Sequence, residues 1–347
     1  MKNLNKPSRR NFIKSTALSS LGVLVASQQS IAAPAILKYW GKPNSNINGV
    51  QVGVITYSYR SMPDQSAESV LKYIIDSGIS AVELMGNHAE YFAGMPQMDE
   101  HSRGNMRTIW QLRRKETLTE DEKNELAELQ KIQDQYNKQV AAWRQGASMD
   151  KFVQLRKMYK EAGIQIYAFK PRAFEKDNTP AEMDYGFRAA KALGASHVTL
   201  EHPSDDAHTA LLGKLAAKHK IHVAYHGHLQ ETPVLWDTAI TQSAYNAINL
   251  DLGHYIAAGN TDIMDFIPLK HKNISSMHMK DRQTPENGQG NLIWGEGDTP
   301  LKEVLTLMKN QKYKFPGTIE VEYKIPEDSD AVKEVGRCLD HCKKLIG

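Results

Sequence analysis

From about residue 50 to the C-terminus, short β-branched and aliphatic runs alternate with longer amphipathic stretches. The runs are Gln51–Thr56, Ser80–Met85, Ile164–Phe169, His197–Glu201, Ile221–His226, Ile248–Leu252, Ile274–Met279 and Thr318–Glu322. Each has the composition and length of a strand. The stretches Ala67–Asp76, Lys151–Ala162, Ala181–Leu193, His208–His219 and Leu301–Lys309 predict helices between them. Several helices pass to the next strand through a glycine, as at Ser77-Gly78, Ala162-Gly163 and Leu193-Gly194. That glycine is the expected cap of a tight αβ turn. Strand and helix in strict alternation predict parallel βαβ units. Eight such units in about 300 residues fit a closed (β/α)8 TIM barrel better than an open doubly wound sheet. No glycine-rich dinucleotide loop follows the first strand.

One stretch breaks the alternation. Residues 87–149, after the second strand, contain no strand pattern. Thr119-Glu120-Asp121-Glu122 has the form of a capping box. Leu126, Leu129, Ile132, Tyr136 and Val140 then recur at three- and four-residue steps, predicting a helix. The segment is expected to be a helical insertion on the second βα loop, on the catalytic face. A packing hairpin, a lid and a subunit contact all suit it, and a homo-oligomer is compatible with the last.

The N-terminal 33 residues differ from the rest. They carry five basic side chains and no acidic one, and Ser8-Arg9-Arg10-Asn11-Phe12-Ile13-Lys14 has the form of a twin-arginine export signal. A mildly apolar run to Ala26 and small residues around Ala33 follow, as in a cleavable segment. The run is too short and serine-rich to span a bilayer. Export to the bacterial periplasm is the expectation, with residues 34–49 as a linker to a single domain at 50–347. Without that segment 38 basic residues face 40 acidic ones, which leaves no electrostatic case for a nucleic-acid partner. Cys338 and Cys342, one helical turn apart, are neither a disulfide framework nor a zinc site, and are expected to pack in the last helix.

Side chains at the carboxyl ends of barrel strands converge over the mouth. Here the fourth strand ends in Glu201, and the fifth in His226 and His228. The sixth carries Asp251 and His254, the seventh His278, and the eighth Glu320 and Glu322. Five successive strand ends bearing imidazoles or carboxylates point to one bound divalent cation, because a buried carboxylate is costly unless paired or metal-bound. The donor mixture suits manganese or zinc, with cobalt or magnesium as alternatives.

At these residues the chain resembles the xylose-isomerase-like barrel superfamily of sugar isomerases and epimerases. The resemblance rests on Asn249-Leu250-Asp251-Leu252-Gly253-His254, Met277-His278-Met279-Lys280-Asp281, Gly295-Glu296-Gly297-Asp298 and the ending from Gly317 to Glu322. It implies that Asp251, His278 and, by its distance from Gly317, Glu322 bind the metal, with Glu320 as rival and Glu201 and His226 completing the set. The chain departs from the ketose epimerases, which carry a glutamate where His226 stands.

The implied substrate is a small-molecule sugar or glycoside. The implied reaction is proton removal next to a carbonyl to give an enediolate, as in an isomerase or epimerase. The same enediolate could instead expel a leaving group, giving a lyase or hydrolase of 3-keto-glycosides. Glu201, His254 and Glu322 are candidate bases, with Lys280 or Arg282 as charge partner. Trp294 and Trp236 could stack on a sugar, and His228 and Lys170 could reach the mouth. A non-catalytic sugar-binding barrel and an endonuclease IV-like phosphodiesterase are the more distant readings.

Overall fold

The computed structural model describes residues 41–98 and 100–347; the expected export signal at 1–33 lies outside them. Eight strands form the barrel: β1 Val50–Ile55, β2 Ala81–Met85, β3 Gln165–Lys170, β4 His197–Glu201, β5 His222–His226, β6 Asn246–Asp251, β7 Ile274–Met279 and β8 Gly317–Ile319. Each pairs in parallel with its neighbours in sequence, and β8 pairs with β1 to close the ring. Part of the expected linker is folded, since Asn46–Ile47 pairs antiparallel with Val50–Gln51.

The strands lie within two residues of their sequence expectations except at the last. There the ladder stops at Ile319, and the chain carrying Glu320 and Glu322 leaves it. Side chains from beyond β1 take over its backbone groups. Ser58 Oγ accepts from Val321 N at 3.1 Å, and Arg60 Nη1 donates to Val321 O at 2.8 Å.

The helices are α1 Ala67–Asp76, α2 Gly86–Phe92, α3 Glu100–Arg113, α4 Glu120–Gly146, α5 Asp150–Glu161, α6 Pro180–Leu193, α7 Asp206–His219, α8 Asp237–Gln242, α9 Leu252–Ala257, α10 Ile263–Lys270, α11 Leu301–Gln311 and α12 Ala331–Ile346. Gly163 and Gly194 have φ of +82° and +78° where α5 and α6 end, the left-handed conformation expected of the capping glycine. Cys338 and Cys342 are buried, unpaired, on the inner face of α12.

The insertion after β2 is helical, as α2, α3 and α4. Thr119 and Glu122 form the expected reciprocal capping box at the start of α4. The apolar positions of α4 reach full burial only near its end, at Val140, while Ile132 and Trp110 of α3 are exposed. Arg144 fastens that end to the barrel. Its guanidinium meets Glu90 of α2 and Glu182 of α6, each at 3.1 Å, and donates to Arg172 O at 2.9 Å. Tyr185 donates to the same Glu90 oxygen at 3.2 Å. Among the described residues no helix is long and apolar enough to cross a membrane.

Removing one partner of a buried ion pair leaves the other charge without compensation. Arg144→Met should therefore lower the stability of the folded chain by about 3 kcal/mol, measured by urea unfolding. A loss under about 0.5 kcal/mol would mean that Arg144 does not anchor the insertion.

Candidate metal centre

Residues two apart on a strand share a face. On β4 such residues are His197, Thr199 and Glu201; on β6, Asn249 and Asp251; on β7, Ser276, His278 and, just past its end, Lys280. On the eighth they are Thr318, Glu320 and Glu322. Their hydrogen bonds join strands that are not neighbours, so they cross the barrel interior. Thr199 on β4 donates to Glu83 Oε1 on β2 at 2.6 Å, and the Tyr167 hydroxyl on β3 lies 2.7 Å from that of Thr318 on β8. The core of this barrel is therefore polar at its mouth.

Four donors converge there. One atom each from His226, Asp251, His278 and Glu320 lies within 4.8 Å of all the others, and all four residues are buried. His278 Nδ1 is 2.7 Å from Glu320 Oε2 and 3.9 Å from Asp251 Oδ2, while His226 Nε2 stands 3.8 Å from the same Asp251 oxygen. Asp251 is positioned by its other oxygen, which caps α9 by accepting from His254 N at 2.8 Å. His278 is turned by Glu83, whose Oε2 lies 2.9 Å from Nε2 on the side away from the cluster. A carboxylate behind a ligating imidazole fixes its tautomer and makes it more basic.

The charges are arranged to match. Burial alone would push the carboxyls of Asp251 and Glu320 up, but Lys280 overrides it and holds both well below the usual carboxylate range. Burial likewise opposes ionisation of Glu83, which His278 brings down to about 2. For His278, burial favours the neutral ring, yet Glu83 and Glu320 raise it to about 10. His226 is carried the other way, to about 3, by burial reinforced by Lys170 and His278. Lys280 lies 3.0 Å from Asp251, 3.1 Å from Glu320 and 2.7 Å from Glu322. Glu231 follows β5, and its buried carboxyl accepts from Asp251 N at 3.2 Å. Burial and the nearby Asp251 charge keep it protonated, well above the usual range.

These residues fit a divalent cation. Nitrogen and oxygen donors sit about 2.1 Å from such an ion, so opposite donors stand up to about 4.2 Å apart, near the span seen here. Asp251 Oδ2 is buried and makes no well-directed hydrogen bond, its one close polar neighbour being the Lys280 ammonium at 3.0 Å, so its lone pairs could serve a cation if that ammonium shifts. A second trio, His226, His228 and His254, also lies within 4.8 Å. It is a poorer cation site, because His254 already faces Lys280 Nζ at 3.0 Å and the Arg282 guanidinium.

The remaining residues singled out from sequence surround the cluster. Glu322, the expected eighth-strand ligand, lies outside the four and pairs with Lys280; Glu320, two residues earlier, takes the place among the donors. Glu201 is also outside, half-exposed, bound to Lys170 at 2.8 Å and His228 at 2.6 Å. His254 is neutral, brought to about 4 by burial, although Asp251 acts in the opposite direction. The two tryptophans do not offer faces to a sugar. Trp236 is 1% exposed, its ring against Phe266 and its Nε1 donating to Tyr225 O. Trp294 is buried edge-on against His341. Both are packing residues.

Asp281 explains the loop that resembled the superfamily. Its carboxylate accepts from Gly295 N at 2.7 Å and Gly297 N at 3.0 Å, and a Cβ at position 297 would come within 2.3 Å of it. The loop is thereby tied to the chain just after Lys280. Sequence reasoning missed Glu83 and Glu231. Glu83 had a signal, a single carboxylate in the otherwise apolar run of β2.

In fold the chain is similar to solved barrels of the xylose-isomerase-like kind. A xylose isomerase domain protein from Alicyclobacillus acidocaldarius matches with a TM-score of 0.55 at 15% identity, over 85% of this chain and 98% of that one. A D-psicose 3-epimerase, solved in the presence of D-fructose, matches with 0.53 at 11% identity, over 86% and 100%. A probable 3-DHS dehydratase from Bacillus anthracis gives 0.54 at 12%, over 84% and 97%. No family model and no curated protein matches the sequence. At such identities the likeness is one of architecture: a closed barrel of eight parallel strands ringed by helices, shared with sugar isomerase- and epimerase-like proteins.

In the ion-free protein His278 holds its proton to about pH 10, so an ion that takes Nδ1 must displace it. Manganese binding at pH 7.5 should then release about one proton per ion, and affinity should rise about tenfold per pH unit between pH 6 and 8. Calorimetry in buffers of different ionisation enthalpy reads this directly. Binding that released no proton would contradict the assignment of His278.

Proposed function

We propose that the chain is a divalent-cation-dependent enzyme that removes a proton next to the carbonyl of a sugar, in the manner of an isomerase or epimerase. The observation that carries this reading is the convergence of His226, Asp251, His278 and Glu320 at the barrel mouth, with Lys280 against the two carboxylates. The four would hold the ion. When bound, it would polarise a carbonyl and stabilise the developing enediolate charge.

The chain's own residues would handle the proton. The Glu322 side chain is 22% exposed and pairs with Lys280, which itself touches both carboxylates of the cluster, and it is the base best placed to meet substrate. Lys280 donates to Glu322 and also lies against the neutral His254 imidazole, so one ammonium links two groups that can accept a proton. Arg282 faces the other nitrogen of His254, and a neutral ring, with one lone pair, accepts from one of the two cations at a time. Lys170, Glu201 and His228 form the rim, where polar side chains would contact sugar hydroxyls.

A second reading is favoured by the Glu201–His228 pair, both half-exposed and 2.6 Å apart. An imidazole held by a carboxylate at the rim would protonate a departing glycosidic oxygen, so the same enolisation would end in cleavage of a 3-keto-glycoside. Twin-arginine export, proposed from residues 8–14, suits unphosphorylated substrates.

Purified protein with manganese should interconvert free ketoses or cleave 3-keto-glycosides, and product analysis separates the two. Asp251→Ala and His278→Ala, checked to be folded, should lose at least about 100-fold in kcat/KM. Glu322→Gln should lose about 100- to 10,000-fold in kcat while still binding the ion. Full activity in both donor variants, or no turnover of either substrate class, would sink this reading. For export, Arg9→Lys with Arg10→Lys should leave the protein in the cytoplasm of a bacterial host, measured by fractionation; periplasmic protein would refute it.

A further inference from the structure

A continuous chain of hydrogen-bonded side chains runs from the donor cluster through the barrel to its opposite end. His226 Nδ1 lies 2.7 Å from Asn249 Oδ1, and Asn249 Nδ2 lies 2.6 Å from Ser276 Oγ. Ser276 Oγ lies 2.9 Å from His197 Nε2, and His197 Nδ1 lies 2.9 Å from Ser196 Oγ. Ser196 is exposed and precedes β4, so it stands five residues, about 16 Å, below Glu201 at the mouth. The three central members, Asn249, Ser276 and His197, are at most 1% exposed, so no solvent supplies their bonds.

In such a chain an amide donates from nitrogen and accepts at oxygen, a neutral imidazole donates from one nitrogen only, and each hydroxyl has a single proton to give. The far end fixes where the protons lie. Ser196 donates its hydroxyl proton to the Tyr167 carbonyl at 3.0 Å, which can only accept. Toward His197 its oxygen therefore accepts, which places the proton of His197 on Nδ1. His197 Nε2 then accepts from Ser276, and Ser276 accepts from the Asn249 amide nitrogen. That leaves Asn249 Oδ1 to accept from His226 Nδ1. The proton of His226 is thus on the nitrogen facing away from the cluster, and the Nε2 lone pair faces Asp251 Oδ2. Both rings are buried, His197 1% and His226 2% exposed, and each has one nitrogen committed to the chain by its hydrogen bond.

We propose that Ser196, His197, Ser276 and Asn249 are positioning residues that hold His226 in its Nδ1–H tautomer and so set the affinity for a cation that none of them would contact. The affinity part rests on the proposed cation reading; the tautomer part does not. Reversing the chain would put a proton where a cation must bind. The element positioning His226 is therefore built differently from that of His278, which relies on a carboxylate.

The test uses the full folded protein labelled with 15N-histidine, stripped of metal, together with manganese titration by calorimetry. The His226 resonances are assigned by their loss in His226→Gln. In the wild type they should show a neutral ring protonated on Nδ1. Ser276→Ala should give a mixture of tautomers and weaken manganese binding about 10- to 100-fold, the range for loss of such a supporting partner. Ser276→Thr, which keeps the hydroxyl, should restore both. If Ser276→Ala fails to fold, His197→Phe breaks the next link and should show the same two changes. A wild-type ring protonated on Nε2, or a folded Ser276→Ala protein with unchanged tautomer, would overturn the proposal. No manganese binding by wild type alongside the expected tautomer would fail only the cation reading, and the tautomer shift in Ser276→Ala would still decide the chain.

Discussion

The structure depends on how three carboxylates, Glu83, Asp251 and Glu320, remain ionised inside a protein. Each charge removed from water costs several kcal/mol unless it is compensated nearby. Here the compensation is local, through Lys280 and a charged His278, and geometric, through hydrogen bonds that cross the barrel. A barrel interior is ordinarily filled by layers of branched apolar side chains. This one keeps apolar packing around its outside, where the helices meet the strands, and gives the inner face near the mouth to polar groups. One proton on His278 and the Lys280 ammonium balance part of that negative charge.

Rigidity and access divide along the same line. Three of the four donors are held by partners that are themselves buried: Glu83 behind His278, Asn249 behind His226, and the start of α9 behind Asp251. Glu322, Glu201 and His228, by contrast, keep contact with solvent at the rim. A cation site benefits from preorganised donors, and proton transfer to a substrate requires reachable ones. The strand phase delivers both, since residues two apart on one strand lie in successive layers. Just past the eighth strand Glu320 falls in the buried layer and Glu322 in the open one.

That layering marks where sequence reasoning stopped. The alternation of strands and helices, the capping box at Thr119 and the polar ends of strands four to eight were all legible, because each is written in local periodicity. Choosing Glu320 over Glu322 was not, since both share one strand face and only the depth at which the chain leaves the ladder separates them. Glu83 was passed over because it comes from the opposite side of the barrel, and its contact with His278 spans 195 residues of sequence. Trp236 and Trp294 follow strand ends, which suggested the mouth. Their rings instead turn outward against Phe266 and His341, a direction that spacing along the chain does not encode.

The most direct measurement is the anomalous scattering of crystals grown with manganese. A single strong peak per chain bounded by His226 Nε2, Asp251 Oδ2, His278 Nδ1 and a Glu320 oxygen is the predicted result. A peak placed instead between Glu201 and Glu322, or no peak within the barrel mouth at saturating manganese, would contradict it.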